Sequence, residues 1–176
     1  NQSSIIYNSY HDKFLNAEIN WIRKNLFINY PKPLLLQASL FRASMLRELG
    51  GWDTDIAIDD HSLFIKIFRK YTRKHFEYAP LCNACYYRIH GSNFSGSVVN
   101  QFSTQIQLIE KYCVEVAQSN AIAYRYMFHV MSSLKKWKFT DVIALTRLVN
   151  TGIFILSIMY IPQIANEFYV KLKSGA

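Results

Sequence analysis

The chain has 176 residues, of which 51% are hydrophobic and 15% aromatic, so it is not intrinsically disordered and is long enough for one cored domain with an appendage. Lysine and arginine number 20 against 12 acidic residues, an excess that favours anionic partners such as nucleotide phosphates or acidic lipid head groups. Both halves carry this excess without a long basic run, and we therefore expect no nucleic-acid partner.

The first part of the chain predicts a mixture of helices and strands. Apolar residues recur at helical spacing from Phe14 to Phe27, and the short apolar run Leu34–Phe41 has the length of a buried strand. A short helix over Ala43–Leu49 then ends at Gly50 and Gly51, because glycine favours the left-handed position that follows many helices.

The next predicted helix begins at Asp59 or Asp60. Acidic residues at its start and basic residues at its end both suit the helix dipole. Two strands, His75–Ala79 and Asn83–Ile89, are predicted around a proline, and Gly91–Ser97 has the composition of a loop.

The remainder of the chain predicts only helices. After residue 100 glycine is almost absent, and the apolar spacing predicts four helices, Gln101–Gln118, Ala121–Leu134, Thr140–Val149 and Thr151–Val170. We therefore expect two regions, an α/β part over residues 1–98 and an all-helical part over residues 99–176.

The carboxylate pair Asp59-Asp60 is the first candidate for chemistry. Adjacent acidic residues at a helix start often do no more than cap the free backbone N–H groups. Alternatively one of them is a general base, because a like charge nearby and partial burial raise the pKa of a carboxyl group towards neutral pH. The irregular stretch Trp52–Ile58 favours this second interpretation, since a loop can present a carboxylate to a cleft.

Arg88 and His90 form the second candidate, on one face of the last predicted strand. The imidazole of His90 suits Mn²⁺ or Mg²⁺ as one member of an oxygen-rich ligand set, and the alternative is a structural histidine. The guanidinium of Arg88 suits a phosphate, and the alternative is an ion pair with an acidic neighbour.

The third candidate is the basic cluster Lys135–Lys138, which contains Trp137 and adjoins an apolar helix. Such a cluster fits contact with acidic lipid, so we expect peripheral membrane contact through the C-terminal helices. The alternative is a scaffold helix that carries solvated charges.

The order and spacing of these clusters, over Leu34–Ser97, resemble the second half of the catalytic domain of family 2 glycosyltransferases, inverting enzymes with a GT-A fold. The family pattern is Gly-Gly-Phe-Asp, then a Glu-Asp pair that opens a helix with Leu and Arg, then Tyr-Tyr-Arg-x-His followed by Asn and Ser. The matching residues here are Gly50-Gly51-Trp52-Asp53, Asp59-Asp60 with Leu63 and Lys66, and Tyr86-Tyr87-Arg88-Ile89-His90 with Asn93 and Ser95.

The resemblance implies an α/β fold, namely the C-terminal half of a GT-A domain followed by a helical tail. Asp60 matches the catalytic base, and Asp59 stands beside it where the family usually has Glu. His90 matches a histidine that helps to hold the divalent metal, Mn²⁺ or Mg²⁺. The acceptor site would be bordered by the turn Gly50, Gly51, Trp52 and Asp53, and phosphate would be bound by Arg88.

The implied function is inverting transfer of a sugar from a nucleotide-diphospho-sugar to an acceptor hydroxyl, in polysaccharide or glycolipid synthesis. The partners would be that donor and a saccharide or lipid-linked acceptor. The family's nucleotide-binding units, with their Asp-x-Asp metal motif, have no counterpart in this sequence. The resemblance therefore implies an incomplete fragment of a glycosyltransferase, which need not be active alone.

A function from another class stays open, a non-catalytic membrane-peripheral or protein-interaction module in which the acidic pair only caps a helix. Three cysteines are too few for a disulfide framework and indicate a reducing compartment. We therefore expect a cytoplasmic protein, with the inner face of the membrane as the place where its tail makes contact.

Overall fold

The computed structural model describes residues 19–28, 39–57, 59–76 and 97–173. The chain divides into two compact units, Asn1–His90 and Gly91–Ala176. The boundary expected from the sequence lies slightly further along, between residues 98 and 99.

The first unit is built around one enclosed helix. Helices α1 (Ile19–Lys24) and α2 (Ala43–Glu48) precede α3 (Asp59–Lys70), and a 3₁₀ turn follows at Arg73–His75. Helix α1 packs against α3, whose middle is buried on most of its circumference, as is typical of a helix surrounded by its neighbours. Among the described residues of this unit, the buried apolar ones are Ile22, Leu26, Phe27, Ile56, Leu63, Phe64, Ile65, Ile67 and Phe68.

Arg23 joins α1 to the end of α3. Its Nε donates to the backbone oxygen of Phe68 at 2.7 Å, and its Nη2 donates to that of Tyr71 at 3.3 Å. The last carbonyl groups of a helix have no partner within the helix, and a cation beside them also suits the negative end of the helix dipole. This guanidinium therefore stabilises the C-terminal end of α3.

The expected α/β fold, with the C-terminal half of a GT-A domain, is wrong. Every regular element in the described residues is helical, and none of those residues belongs to a strand. Of the predicted strand Leu34–Phe41, the described end, from Ser39, is irregular and leads into α2. The predicted strand Asn83–Ile89 lies outside the described residues.

The start of the predicted strand His75–Ala79 shows why the prediction was wrong. His75 ends a 3₁₀ turn in which its backbone N–H donates to the Thr72 oxygen at 3.0 Å, while the Thr72 N–H donates to the His75 Nδ1 at 3.2 Å. Phe76 then stacks on Phe68 of α3, with ring centroids 5.7 Å apart. A segment of five residues fits such a folded-back turn as well as a strand, because the sequence pattern of so few residues does not separate the two.

The second unit, in its described residues, consists of five helices, four of which pack around a central one. These are α4 (Val98–Tyr112), α5 (Gln118–Lys135), α6 (Phe139–Thr146), α7 (Thr151–Ile158) and α8 (Ile161–Lys173). Helix α5 packs against all four others and carries half of the buried apolar residues described in this unit. Its buried apolar side chains are Ala121, Ala123, Tyr124, Tyr126, Met127 and Val130.

Two buried polar side chains of α5, those of Tyr124 and His129, have hydrogen-bond partners on neighbouring helices. The Tyr124 hydroxyl donates to Glu167, with both carboxylate oxygens within 3.1 Å, and this contact ties α5 to α8. The buried His129 has its Nε2 3.0 Å from the Gln105 Oε1 on α4. Such pairing removes the cost of burying an unpartnered polar group.

The last predicted helix, Thr151–Val170, is broken into α7 and α8, which are bent by 54°. Pro162 accounts for the break, because a proline ring clashes with the carbonyl group four residues earlier, here that of Ile158, where α7 ends. No single helix among the described residues has the length and apolarity of a membrane span, whereas this bent pair passes the same test by length and composition alone.

Candidate functional site

The Gly50-Gly51 turn closes α2 with a specific hydrogen-bond pattern. Both glycines have positive φ, 73° and 66°. The Gly51 N–H donates to the Leu46 oxygen at 2.9 Å and the Gly50 N–H to the Arg47 oxygen at 3.1 Å, which together make a Schellman motif. Glycine is required here because a Cβ atom disfavours the left-handed region. The predicted end of this helix is therefore observed, with its predicted physical cause.

Lys66 fastens the segment that follows this turn to α3. Its ammonium group donates to the Asp53 Oδ1 at 2.7 Å and to the Gly51 oxygen at 3.0 Å. The two side chains are largely buried, with 17% of Lys66 and 9% of Asp53 exposed. The structure thus brings three of the predicted site residues, Gly50, Gly51 and Asp53, together with a lysine to which the sequence had assigned no role in the site.

The loop between this ion pair and α3, residues 52–57, has an inner and an outer side. Asp53 and Ile56 point inwards, the first to Lys66 and the second into the core, where 5% of it is exposed. Trp52 is 38% exposed, and Thr54 and Asp55 are exposed as well. The loop is therefore anchored at two points and presents an indole and a carboxylate outwards.

Asp60 lies in the first turn of α3, and its side chain is partly buried. Its Oδ1 accepts a hydrogen bond from the His61 N–H at 2.9 Å, and its carboxylate makes further interactions. Asp59 begins the helix. A carboxylate in this turn is stabilised by the helix dipole and by the free backbone donors, so both the capping and the catalytic interpretation remain open at this position.

The predicted donor-side residues, Arg88 and His90, lie outside the described residues, so their distance from Asp60 stays a prediction. Within residues 19–28, 39–57, 59–76 and 97–173, no group of three or more His, Cys, Asp or Glu side chains is arranged to hold a metal ion. The predicted Mn²⁺ or Mg²⁺ site therefore depends on His90 and its surroundings.

Glu48 forms a second contact between α2 and α3, one that sequence reasoning missed. Its carboxylate accepts a hydrogen bond from the Tyr71 hydroxyl at 2.6 Å and pairs with Lys70 at 2.8 Å. The hydrogen bonds from Lys70 and Tyr71 lower the pKa of Glu48. The same carboxylate raises the pKa of Tyr71 to about 12, because it stabilises the protonated phenol.

Comparison of the chain with protein-family models, with curated proteins and with solved structures gave no match.

Proposed function

We propose that this chain carries the acceptor side of an inverting glycosyltransferase. The enzyme would transfer a sugar from a nucleotide-diphospho-sugar to a hydroxyl group of a saccharide or lipid-linked acceptor. The observation that supports this most is the anchored loop from Gly50 to Asp60, in which Lys66 holds Gly51 and Asp53 against α3. The overall fold gives the proposal no support, because the described residues contain no β-sheet of the kind found in GT-A domains. The proposal therefore depends on this loop and α3.

In the proposed reaction Asp60 is the general base. It takes the proton of the acceptor hydroxyl while that oxygen forms a bond to the anomeric carbon. The bond from the anomeric carbon to the diphosphate breaks on the opposite face, its electron pair stays on the diphosphate, and the configuration inverts. The first turn of a helix favours the ionised carboxylate, which is the form that a base needs.

The outward side of the loop suits the acceptor. The exposed indole of Trp52 offers an apolar face on which the C–H face of a sugar ring can pack, with the hydroxyl groups left free for hydrogen bonds. Because the ion pair of Asp53 and Lys66 holds the backbone on both sides of the turn, the position of Trp52 relative to α3 is restricted.

The donor side of the proposal concerns Arg88 and His90. Arg88 would bind the diphosphate through its planar guanidinium, and His90 would be one ligand of a divalent cation. When bound, Mn²⁺ or Mg²⁺ would neutralise charge on the departing diphosphate.

The test is the substitution Asp60→Asn in the full-length protein, assayed for release of nucleoside diphosphate from a panel of nucleotide-diphospho-sugars. We expect turnover to fall by about a hundredfold or more, with nucleoside diphosphate binding by calorimetry unchanged, because only the base is lost. Glu110→Gln, which changes an exposed carboxylate on α4, is the matched control and should keep its turnover.

Full turnover by Asp60→Asn would defeat the assignment of the base. The absence of any transfer or donor hydrolysis by the unsubstituted full-length protein, over the whole panel, would instead favour a non-catalytic module.

A further inference from the structure

Helix α5 ends in the same hydrogen-bond pattern as α2, but with a tryptophan where α2 has a glycine. The Trp137 N–H donates to the Leu134 oxygen and the Lys138 N–H to the Ser133 oxygen, both at 3.0 Å. Trp137 has a φ of 57°, and no other described residue except glycine has a positive φ. A bulky residue in this left-handed region is strained, and such strain persists mainly where function requires it.

The Trp137 side chain contributes little to the packing of the fold. It is 80% exposed, and its ring forms a T-shaped contact with the ring of Phe139, which is itself 54% exposed, at a centroid distance of 6.1 Å. Ile143, one helical turn beyond Phe139, is 57% exposed, whereas Leu145 on the other side of α6 is fully buried. Three large apolar side chains therefore follow one another on the outside of this unit.

Basic residues surround these apolar side chains. Lys136 and Lys138 flank Trp137 directly, Lys135 precedes them, and all three lysines are exposed. Between residues 134 and 148 the chain has four basic residues and one acidic residue, Asp141. We name the set Lys135, Lys136, Trp137, Lys138, Phe139 and Ile143 the basic–aromatic patch.

We propose that the basic–aromatic patch binds the surface of a membrane that contains anionic phospholipid. The indole of Trp137 and the ring of Phe139 would enter the head-group region, where an amphipathic ring is most stable, and the lysines would lie at the lipid phosphates. This membrane site is independent of glycosyl transfer and goes beyond the proposed function.

The composition of the patch favours lipid over a protein partner. The centres of protein interfaces are depleted in lysine, because each ammonium group must lose its water and then find a partner. A lipid surface lets lysine keep its hydration and the long side chain reach the phosphates while the neighbouring aromatic ring is buried. The alternation of three lysines with two aromatic residues matches that arrangement.

Trp137→Gly gives a sharp test, because glycine is the residue that this backbone position prefers. The variant should fold at least as well as the unsubstituted chain, with an unchanged or higher melting temperature. Its partitioning onto vesicles of phosphatidylcholine with phosphatidylserine, measured by co-sedimentation of the full-length protein, should be about tenfold weaker. A loss of binding therefore could not be attributed to unfolding.

The matched control is Val114→Ala, which removes exposed apolar surface from the loop between α4 and α5, where the side chain is 81% exposed. This variant should bind the acidic vesicles as the unsubstituted protein does. The tryptophan emission of the unsubstituted protein should shift to shorter wavelength on those vesicles. The shift should disappear in Trp137→Gly, although Trp21 and Trp52 remain.

Three results would overturn the proposal. They are no binding of the unsubstituted protein to acidic vesicles, equal binding to pure phosphatidylcholine, and unchanged binding of Trp137→Gly. Self-association that Trp137→Gly abolishes, found by light scattering without any lipid binding, would assign the patch to a second copy of the chain instead.

Discussion

At the scale of single residues, Lys66 determines the shape of the candidate site, because its ammonium group binds the turn and the loop at once. We expect Lys66→Ala to lower the free energy of unfolding by about 3 kcal/mol, since it removes the ammonium group that pairs with the largely buried Asp53. Urea denaturation of the purified protein measures this change.

Lys66→Arg is the control for the charge. Its guanidinium can donate to both Asp53 and Gly51, so this variant should lose much less stability than Lys66→Ala. Equal losses in the two variants would mean that the exact shape of the lysine side chain, and not its charge, holds the loop.

The contact of Glu48 with Tyr71 gives a prediction about pH. Because the pKa of Tyr71 is raised from 10.0 to about 12, its contribution to stability is complete below the ordinary tyrosine pKa and is lost as the pH rises through about 12. The pKa of Glu48 is lowered, so its contribution is present above the ordinary glutamate pKa and is lost as the pH falls through the lowered value.

We expect Glu48→Gln to bring the pKa of Tyr71 back towards 10.0, because the carboxylate that favours the protonated phenol is gone. The measurement is an ultraviolet titration, with the spectrum of Tyr71→Phe subtracted in each background to isolate this one phenol. Titration of Tyr71 at the ordinary tyrosine pKa in the unsubstituted protein would show that the hydrogen bond is not made in solution.

The residues of the site differ in how well the sequence predicts them. Gly50 and Gly51 could be predicted because a helix end with paired glycines has a local cause. The partner of Asp53 could not, because Lys66 lies 13 residues away and an ion pair at that distance leaves no periodic pattern. Trp137 was noticed for its charged neighbours, but the sign of its φ angle is not visible in a sequence.

At the scale of helices, the ends of α2 and α5 form a natural pair for comparison. A Cβ atom added at Gly50 would meet nothing within 4 Å, so Gly50→Ala changes only the backbone preference. We expect this substitution to lower the free energy of unfolding by about 1 kcal/mol.

Trp137→Gly, at the equivalent position of α5, should change the free energy of unfolding in the opposite direction, by up to about 1 kcal/mol. Thermal and urea denaturation of both variants test the pair. A stability of Gly50→Ala equal to that of the unsubstituted protein would contradict the left-handed geometry at the end of α2.

Helices and strands were not equally predictable. Long apolar repeats at helical spacing predicted that α3, α4 and α5 are helices, because a helix of several turns must bury one face. The predicted helix Gln101–Gln118, however, runs beyond the end of α4 at Tyr112 to the first residue of α5. The strands were inferred from short segments, which fit an irregular or 3₁₀ conformation equally well, as His75 shows. The break at Pro162 could have been predicted from the chemistry of proline, but the long uncharged stretch Thr151–Asn166 favoured a single helix.

At the scale of the whole molecule, the proposed reaction requires donor-side residues that the described part of the chain does not contain. We expect removal of divalent cations with a chelator to abolish sugar transfer, and Mn²⁺ or Mg²⁺ to restore it. His90→Ala should raise the cation concentration needed for half-maximal transfer by about tenfold or more, because a ligand is lost.

The control for this experiment is His75→Ala, which removes an exposed imidazole at the end of the 3₁₀ turn. That variant should need the same cation concentration as the unsubstituted protein. If sugar transfer persists in the presence of the chelator, the assignment of His90 as a metal ligand is wrong. The assignment of Asp60 as the general base would not be affected.

The position of Arg23 has a practical consequence for anyone who shortens this protein for spectroscopy or crystal growth. A chain trimmed beyond Arg23 would leave the carbonyl groups of Phe68 and Tyr71 without their guanidinium donor. The last turn of α3 would then fray, and this would weaken the hydrogen bond from the Tyr71 hydroxyl to Glu48. A usable amino-terminal cut must therefore keep α1, whose last turn carries Arg23.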